Sequence, residues 1–397
     1  MRLLVVSDVT GYMRGGVPSS MVRLVDGLAK RGHAVALAGD IAPAGGEAAR
    51  LFPIRIPTGP GLAGEVQQAI DAFRPDFVHV IAMGSRGLET LRPTLASQRW
   101  ALTIHSLSPY EKKLHALHAS DGLHYAARGL NFLPHTLAWK WLLRRGFIPH
   151  VIVHSPAMQD TVVRYGFAPS RVAMIPLGYD APAVSAAAPP AVGEAPRIVT
   201  MGGIAHTKGQ HDGLEAVALL RREMPGLRYR IVGEVRDKSY LQFLERTIER
   251  LGLRDCVRIT PNVSHEEKER ALQEADIYLQ PSHEEGFCLA YIEAAAFVPR
   301  LVGADSGAIG LIGENDPGAR TVPPRRPEAL CAALRELLRA PLPEDLMARR
   351  AARLAARFSW AQFLDRHEAL FQRALADSAA PQVTARIIRS PGATREP

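Results

Sequence analysis

The sequence predicts an α/β protein made of two doubly wound parallel-sheet domains, Rossmann-like and facing a central cleft. Three observations lead there. The length of 397 residues exceeds what a single hydrophobic core usually organises, about 250 residues, and suits two domains. Short apolar runs alternate repeatedly with segments whose apolar residues recur at helical spacing, which is the signature of βαβ units. Between them, residues 179–196 (YDAPAVSAAAPPAVGEAP) form an alanine- and proline-rich stretch without periodicity that reads as a semi-rigid linker.

Taken in order, 2–7 (RLLVVS) is a β-branched apolar run, and 19–31 carries Met21, Leu24, Val25 and Leu28 at helical spacing. Strands follow at 34–37, 77–81, 101–104 and 151–153, with helices around 64–73 and 158–165. The second series begins at 198–201 and runs helix 213–222, strand 229–232, helix 241–251, strand 257–260, helix 266–274, strand 277–280, helix 289–297 and strand 300–302. The expected boundaries are a first domain over 1–180, a linker over 181–196 and a second domain over 197–358. Residues 376–397 are short of large apolar groups and read as a disordered tail. Ligands of doubly wound sheets bind outside the carboxyl ends of the strands, so two such domains offer a site between them.

Composition excludes several classes. Hydrophobic residues at 47% and charged residues at 22% are ordinary for a globular chain, which rules out wholesale disorder and fibrous architecture. No apolar run approaches ~18 residues, so nothing is predicted to span a bilayer, and membrane contact, if any, is peripheral. The N-terminus shows no cleavable signal. Cys256, Cys288 and Cys331 form no CxxC pair, which argues against a disulfide scaffold or zinc ribbon and suits a reducing, cytoplasmic setting. The +8 charge, 48 basic minus 40 acidic residues, favours anionic partners.

The first loop matches neither the phosphate-gripping P-loop nor the dinucleotide GxGxxG pattern. What it does carry is Gly15-Gly16 ahead of a helix, where bare N–H groups and the helix dipole attract phosphate; a tight turn is the bland alternative. The most informative stretch is 275–297. A buried strand runs through Gln280-Pro281-Ser282 and Glu285-Gly286-Phe287-Cys288-Leu289 into a mostly apolar helix containing Glu293. A carboxylate enclosed there needs donors, from protein or from ligand hydroxyls. Together with Glu285 it brackets a helix start whose free N–H groups, around Phe287 to Leu289, suit phosphate or sugar hydroxyls. A structural glutamate plus an exposed one is the alternative.

Glu285-x7-Glu293, preceded by Pro281-Ser282 and followed by three alanines, resembles the EX7E signature of retaining GT-B glycosyltransferases, and of glycosyltransferase family 4 in particular. The resemblance runs on through Gly15-Gly16, Pro75-Asp76, Thr103-Ile104-His105, 151–155, 175–180, Gly202 to Gly209, Ile231-Val232-Gly233, Ala275-Asp276 and Phe358-Ser359-Trp360, over residues 1–375. It implies the GT-B fold, with a helix at 359–375 crossing back to the first domain. It also implies that Gly16 contacts donor phosphate, that His105 lies beside the donor sugar, and that Lys208 neutralises the diphosphate. Glu285 would hold sugar hydroxyls and Glu293 the ribose. Gly203, His206, Gly286, Phe287, Cys288 and Leu289 complete the expected donor pocket. The bland readings are a hydrogen-bonded core histidine at His105 and a solvated lysine at Lys208.

Departures from the pattern are specific. An arginine usual beside the diphosphate is replaced by Gly203, which shifts the phosphate grip to Lys208 or His206, and Cys288 stands where glycine is usual. No Asp-x-Asp triplet occurs, so no metal or other cofactor is expected. His115, His118 and His124 lack neighbouring acidic or cysteine ligands and do not suggest zinc. The segment 110–145 mixes Lys112, Lys113, Lys140, Arg144 and Arg145 with Trp139 and Trp141. That mixture fits either an anionic membrane surface or packed tryptophans with solvated bases. No nucleic-acid motif accompanies it.

The function these features predict is retaining, metal-independent transfer of a sugar from a UDP-, GDP- or ADP-sugar to a glycan, lipid-linked or small-molecule hydroxyl acceptor, in cell-surface polysaccharide or glycoconjugate synthesis. The alternatives are a catalytically silent scaffold and a nucleotide-sugar epimerase or phosphorylase on the same fold.

Overall fold

The computed structural model describes residues 1–8, 16–39, 49–54, 61–107, 133–180 and 189–377. The first sheet contains β1 (Arg2–Ser7), β2 (Ala34–Gly39), β3 (Ala49–Pro53), β4 (Phe77–Ile81), β5 (Trp100–Thr103), β6 (Val151–Val153) and β7 (Val172–Met174). Their order is β3-β2-β1-β4-β5-β6-β7, with every pairing parallel. The second sheet contains β8 (Arg197–Met201), β9 (Arg228–Gly233), β10 (Val257–Pro261), β11 (Ile277–Gln280), β12 (Arg300–Ala304) and β13 (Ala319–Val322). Its order is β10-β9-β8-β11-β12-β13, again all parallel. Two GT-B Rossmann-like lobes therefore stand as expected. Strands such as β4 and β11 are buried along their whole length, so they read as continuous apolar runs without alternation.

The helices of the first lobe are α1 (Gly16–Lys30), α2 (Leu62–Phe73), α3 (Ser85–Leu95), α4 (Leu133–Arg144) and α5 (Pro156–Arg164). Those of the second are α6 (Gln210–Arg221), α7 (Lys238–Arg250), α8 (His265–Gln273), α9 (Leu289–Ala295), α10 (Ile309–Gly313), α11 (Pro327–Arg339) and α12 (Leu346–Arg357), followed by α13 (Trp360–Ala376). No described helix is long and apolar enough to cross a membrane. Sequence reasoning omits β3, β7, β13, α3, α4, α10, α11 and α12. The physical reasons are plain for three of them: β3 carries an exposed Leu51, β7 is three half-buried residues, and α3 holds an internal Pro93.

One apolar cluster joins the lobes. It runs from Leu3 and Val5 through Tyr278 and Ile292 to Phe358 and Phe371. The helix α13, capped by Ser359 Oγ accepting from the Gln362 N–H at 3.2 Å, lies back on the first lobe. Phe371 sits on Phe77 with ring centroids 4.8 Å apart, and the Tyr179 N–H donates to the Phe358 carbonyl at 2.9 Å. Arg31 of the first lobe pairs with Asp365 at 2.7 Å and with Glu368.

Three buried histidines line this seam. His79 bonds Thr103 Oγ1 at 2.7 Å, while His154 and His367 donate to the Ile175 and Phe363 carbonyls at 2.7 and 2.8 Å. Burial depresses all three, His154 to about 4 and His367 to about 3, so the seam holds neutral imidazoles. The unfolded chain protonates the same groups near pH 6.5. Stability from this source is present above that pH and is lost as the pH falls through 6.5 toward 4, at ~1.4 kcal/mol per unit of depression per group. In the second lobe Arg350 is enclosed with Asp316, each side chain 1% exposed. Arg350 bonds both Asp316 oxygens, at 2.6 and 2.9 Å, and the Val298 and Pro299 carbonyls, each at 2.7 Å.

Two outcomes are expected from urea unfolding. Asp316→Ala leaves the Arg350 charge buried and uncompensated and should cost ~3–5 kcal/mol. The wild-type midpoint should fall steadily between pH 7 and pH 4.5, and His154→Asn should flatten that slope; a slope unchanged by the substitution refutes the role of the seam.

Candidate active site

Both sheets change direction at an inner strand pair, β1 with β4 and β8 with β11, and the crevice outside such a switch point is where doubly wound sheets bind ligands. Gly16 is the first residue of α1 at the end of the β1 loop, so its N–H belongs to the unpaired set at a helix N-terminus. Gly15 lies outside the described residues. In the second lobe, β8 and β11 pair through Ile198–Ile277 and Val199–Tyr278. Their carboxyl ends lead to Lys208 and Glu285 respectively. Two residues 77 apart in sequence thus meet because their strands are neighbours: Lys208 Nζ lies 2.7 Å from Glu285 Oε2.

The pair is held from several sides. Ser282 Oγ donates to Glu285 Oε1 at 2.7 Å, and the Glu285 side chain is only 7% exposed. The Lys208 ammonium is desolvated, which alone would lower its pKa, but the Glu285 carboxylate outweighs that and the net shift is upward. Lys208 therefore stays charged throughout the physiological range. Its turn, a 3-10 segment His206–Lys208, closes at Gly209 with φ 61°, and the Thr207 carbonyl accepts from the His283 and Glu284 N–H groups at 2.9 and 3.2 Å. A Cβ on Gly209 would strike the Pro281 carbonyl, so the close approach requires glycine as well as the positive φ.

Opposite them, His105 follows β5 in the first lobe. A Cβ added to Gly286 would collide with the His105 carbonyl oxygen, so the two lobes touch here backbone to backbone. The His105 ring packs 4.6 Å from His154, its Nε2 is buried without a protein partner, and burial pushes its pKa well down. It is a neutral imidazole with one unused nitrogen.

Several expectations need correction. His206 is not a free cation for phosphate: its ring packs 5.1 Å from His211 and 5.6 Å from Tyr240, and burial holds its pKa at about 4. Glu293 is not enclosed. Only Tyr291, Ile292, Ala294 and Ala295 of α9 face the core, whereas Glu293 is exposed. Partial desolvation still raises its carboxyl, against the pull of Lys268 and His265. The two carboxylates do not share a hydrogen-bond partner, although both act on the phenol of the buried Tyr278, in β11. Phe287 is buried against Phe358 at 5.7 Å, and Leu289 opens α9 half-buried. Cys288 carries φ 84°, a conformation that favours glycine, which explains why a side chain there is an anomaly. Burial and Glu285 raise its thiol well above the usual value.

Gly203 has a consequence that sequence reasoning missed. A Cβ there would lie 2.7 Å from Arg236 Nε, so the Arg236 side chain passes through the space a side chain at 203 would fill. Arg236 also acts electrostatically on Lys208, which places both cations at one end of the site. No local motif marks it, because Arg236 belongs to the loop after β9. His115, His118 and His124 lie outside the described residues. Of the tryptophans, Trp139 is buried, and Trp141 is exposed with Arg145 4.4 Å above its ring.

Gly286→Ala should force the lobes apart, and a misplacement of this kind lowers turnover by ~10-fold or more. Thermal unfolding and initial rates measured together check this; wild-type turnover would show that the backbone contact is dispensable.

Comparisons with known proteins bear on the fold and on its two lobes. Residues 14–181 match a model described as Glycosyltransferase Family 4, and residues 185–355 match Glycosyl transferases group 1. Glycogen synthase of Mycobacterium tuberculosis is 28% identical over 292 residues, covering 73% of this chain and 66% of that protein. D-inositol 3-phosphate glycosyltransferase of Kineococcus radiotolerans is 32% identical over 244 residues, covering 56% of each. The chain thus spans between about half and two thirds of these curated relatives. Among solved structures, sucrose-phosphate synthase of Thermosynechococcus elongatus superposes with TM-score 0.71 at 19% identity, over 95% of this chain and all of that one. Anabaena HepE in complex with UDP and glucose gives 0.68 at 16%, over 94% and 100%. One glycosyltransferase model accounts for each lobe, and the two sheets stand in the order of the GT-B fold, which this chain adopts.

Proposed function

We propose that the protein transfers a sugar from a nucleotide sugar to a hydroxyl acceptor with retention and without a metal at the diphosphate, in polysaccharide or glycoconjugate synthesis. The observation that carries this is the desolvated Lys208–Glu285 pair at the switch point of the second sheet, facing His105 across the Gly286 contact. A nucleotide sugar brings its own leaving group, so the protein has to position the acceptor, exclude water and stabilise phosphate charge.

Lys208 and Arg236 supply two positive charges for the departing diphosphate. Glu285, fixed by Lys208 and Ser282, keeps acceptor capacity for sugar hydroxyls, and His105, whose carbonyl meets Gly286, stands on the first-lobe side of the site. The acceptor oxygen bonds to the anomeric carbon from the face that the diphosphate leaves. The anomeric C–O bond breaks toward the phosphate, and the acceptor proton passes to a departing phosphate oxygen. Glu285 is not the nucleophile, because its oxygens are already engaged by Lys208 and Ser282. Glu293 belongs to the ribose end, on the open face of α9. The complexes of HepE with UDP-glucose make a UDP-sugar the first donor to test.

Glu285→Gln should lower kcat/KM by ~10² or more with unchanged circular dichroism, and Lys208→Met should lower kcat and kcat/KM together, since its interaction grows as the phosphate departs. Full activity of Glu285→Gln would refute the assignment. Product anomeric configuration by NMR tests retention, and equal rates with and without added Mg²⁺ or Mn²⁺ test independence of a metal at the diphosphate.

A further inference from the structure

Beneath the donor turn lies a second cluster that the proposed transfer does not use. His211 and Asp212 stand in the first turn of α6, directly after Gly209, and His283 comes from the loop after β11. All three are buried, at 5, 6 and 4% exposure. His283 Nε2 lies 2.6 Å from Asp212 Oδ2, and His211 Nε2 lies 3.4 Å from Asp212 Oδ1. One ligating atom from each residue falls within 4.8 Å of the other two.

We infer that His211, Asp212 and His283 form a binding site for one divalent cation of the zinc class. Two imidazoles and a carboxylate are borderline nitrogen and oxygen ligands, which suit zinc or cobalt better than calcium or magnesium. Around an ion bound at ~2.0–2.1 Å, tetrahedral ligand atoms stand about 3.3 Å apart, so the cluster needs shifts of only about 1 Å to close on it. The outer shell is in place as well. Tyr240 Oη meets the other ring nitrogen of His211 at 2.8 Å, the arrangement that orients metal-bound imidazoles. The outer nitrogen of His283 is buried without a partner, so the existing hydrogen bonds leave this ring unsatisfied.

The ring of His206 packs 5.1 and 5.8 Å from those of His211 and His283. The role of the ion is structural: it ties the Lys208 turn to the Glu285 loop, adding to the backbone bonds from His283 and Glu284 to Thr207. The inference is independent of the transfer reading, because its readout is metal content.

The test uses the full chain, stripped with chelator, dialysed and titrated first with Co²⁺ and then with Zn²⁺. The expected result is one equivalent bound, a visible tetrahedral Co²⁺ band displaced by one equivalent of Zn²⁺, and a rise in the thermal midpoint. His211→Gln and His283→Gln should abolish the band, and Tyr240→Phe should weaken binding ~10–100-fold. His265→Ala, at an exposed histidine, should leave the site intact. Failure of the wild-type chain to take up a stoichiometric ion would mean that the three side chains form only a hydrogen-bonded relay, and so would overturn the site. A Co²⁺ band surviving His283→Gln would overturn it equally.

Discussion

The site depends on how closely two loops can approach across the cleft. Gly286 meets the His105 carbonyl with no room for a Cβ, and Gly209 meets the Pro281 carbonyl in the same way within the second lobe. Each contact brings backbone against backbone and removes water from the Lys208–Glu285 pair between them. Desolvation matters because an ion pair that contributes little in water becomes a strong, oriented element in a dry setting. The same dryness would make either charge costly alone.

The fold supplies these contacts from a distance. The return helix α13 packs on the first lobe through Phe371 and Leu364, and the Phe358 carbonyl accepts from the Tyr179 N–H, so the hinge side of the cleft is fastened by apolar packing and one backbone bond. Neutral, buried histidines fill that seam. They pack well while uncharged and oppose folding when protonated, which links the fit of the two lobes to pH. On the far side, Arg350 and Asp316 fasten α12 beneath the segment that ends α9.

Much of this was legible in the chain. The central strands read correctly because strands buried on both faces are unbroken apolar runs, and α6, α7 and α8 read correctly because one face of each repeats at helical spacing. Glu285 and Lys208 were reachable through their motif. The sequence misleads at Glu293 because an apolar helix looks enclosed, whereas α9 leaves Glu293 exposed. His206 was misjudged because its neighbours His211, Tyr240 and His283 come from three separate segments. Arg236 left no signal at all, since its relevance arises only from the empty space at Gly203.

Periodicity and composition by themselves determined two parallel-sheet lobes and the loops that carry the polar residues, because these are properties of local pattern along the chain. Which charges meet, which histidines are neutral and where a missing side chain is replaced were decided only by tertiary structure. Those quantities depend on distances between residues far apart in sequence and on how much water the packing between them excludes.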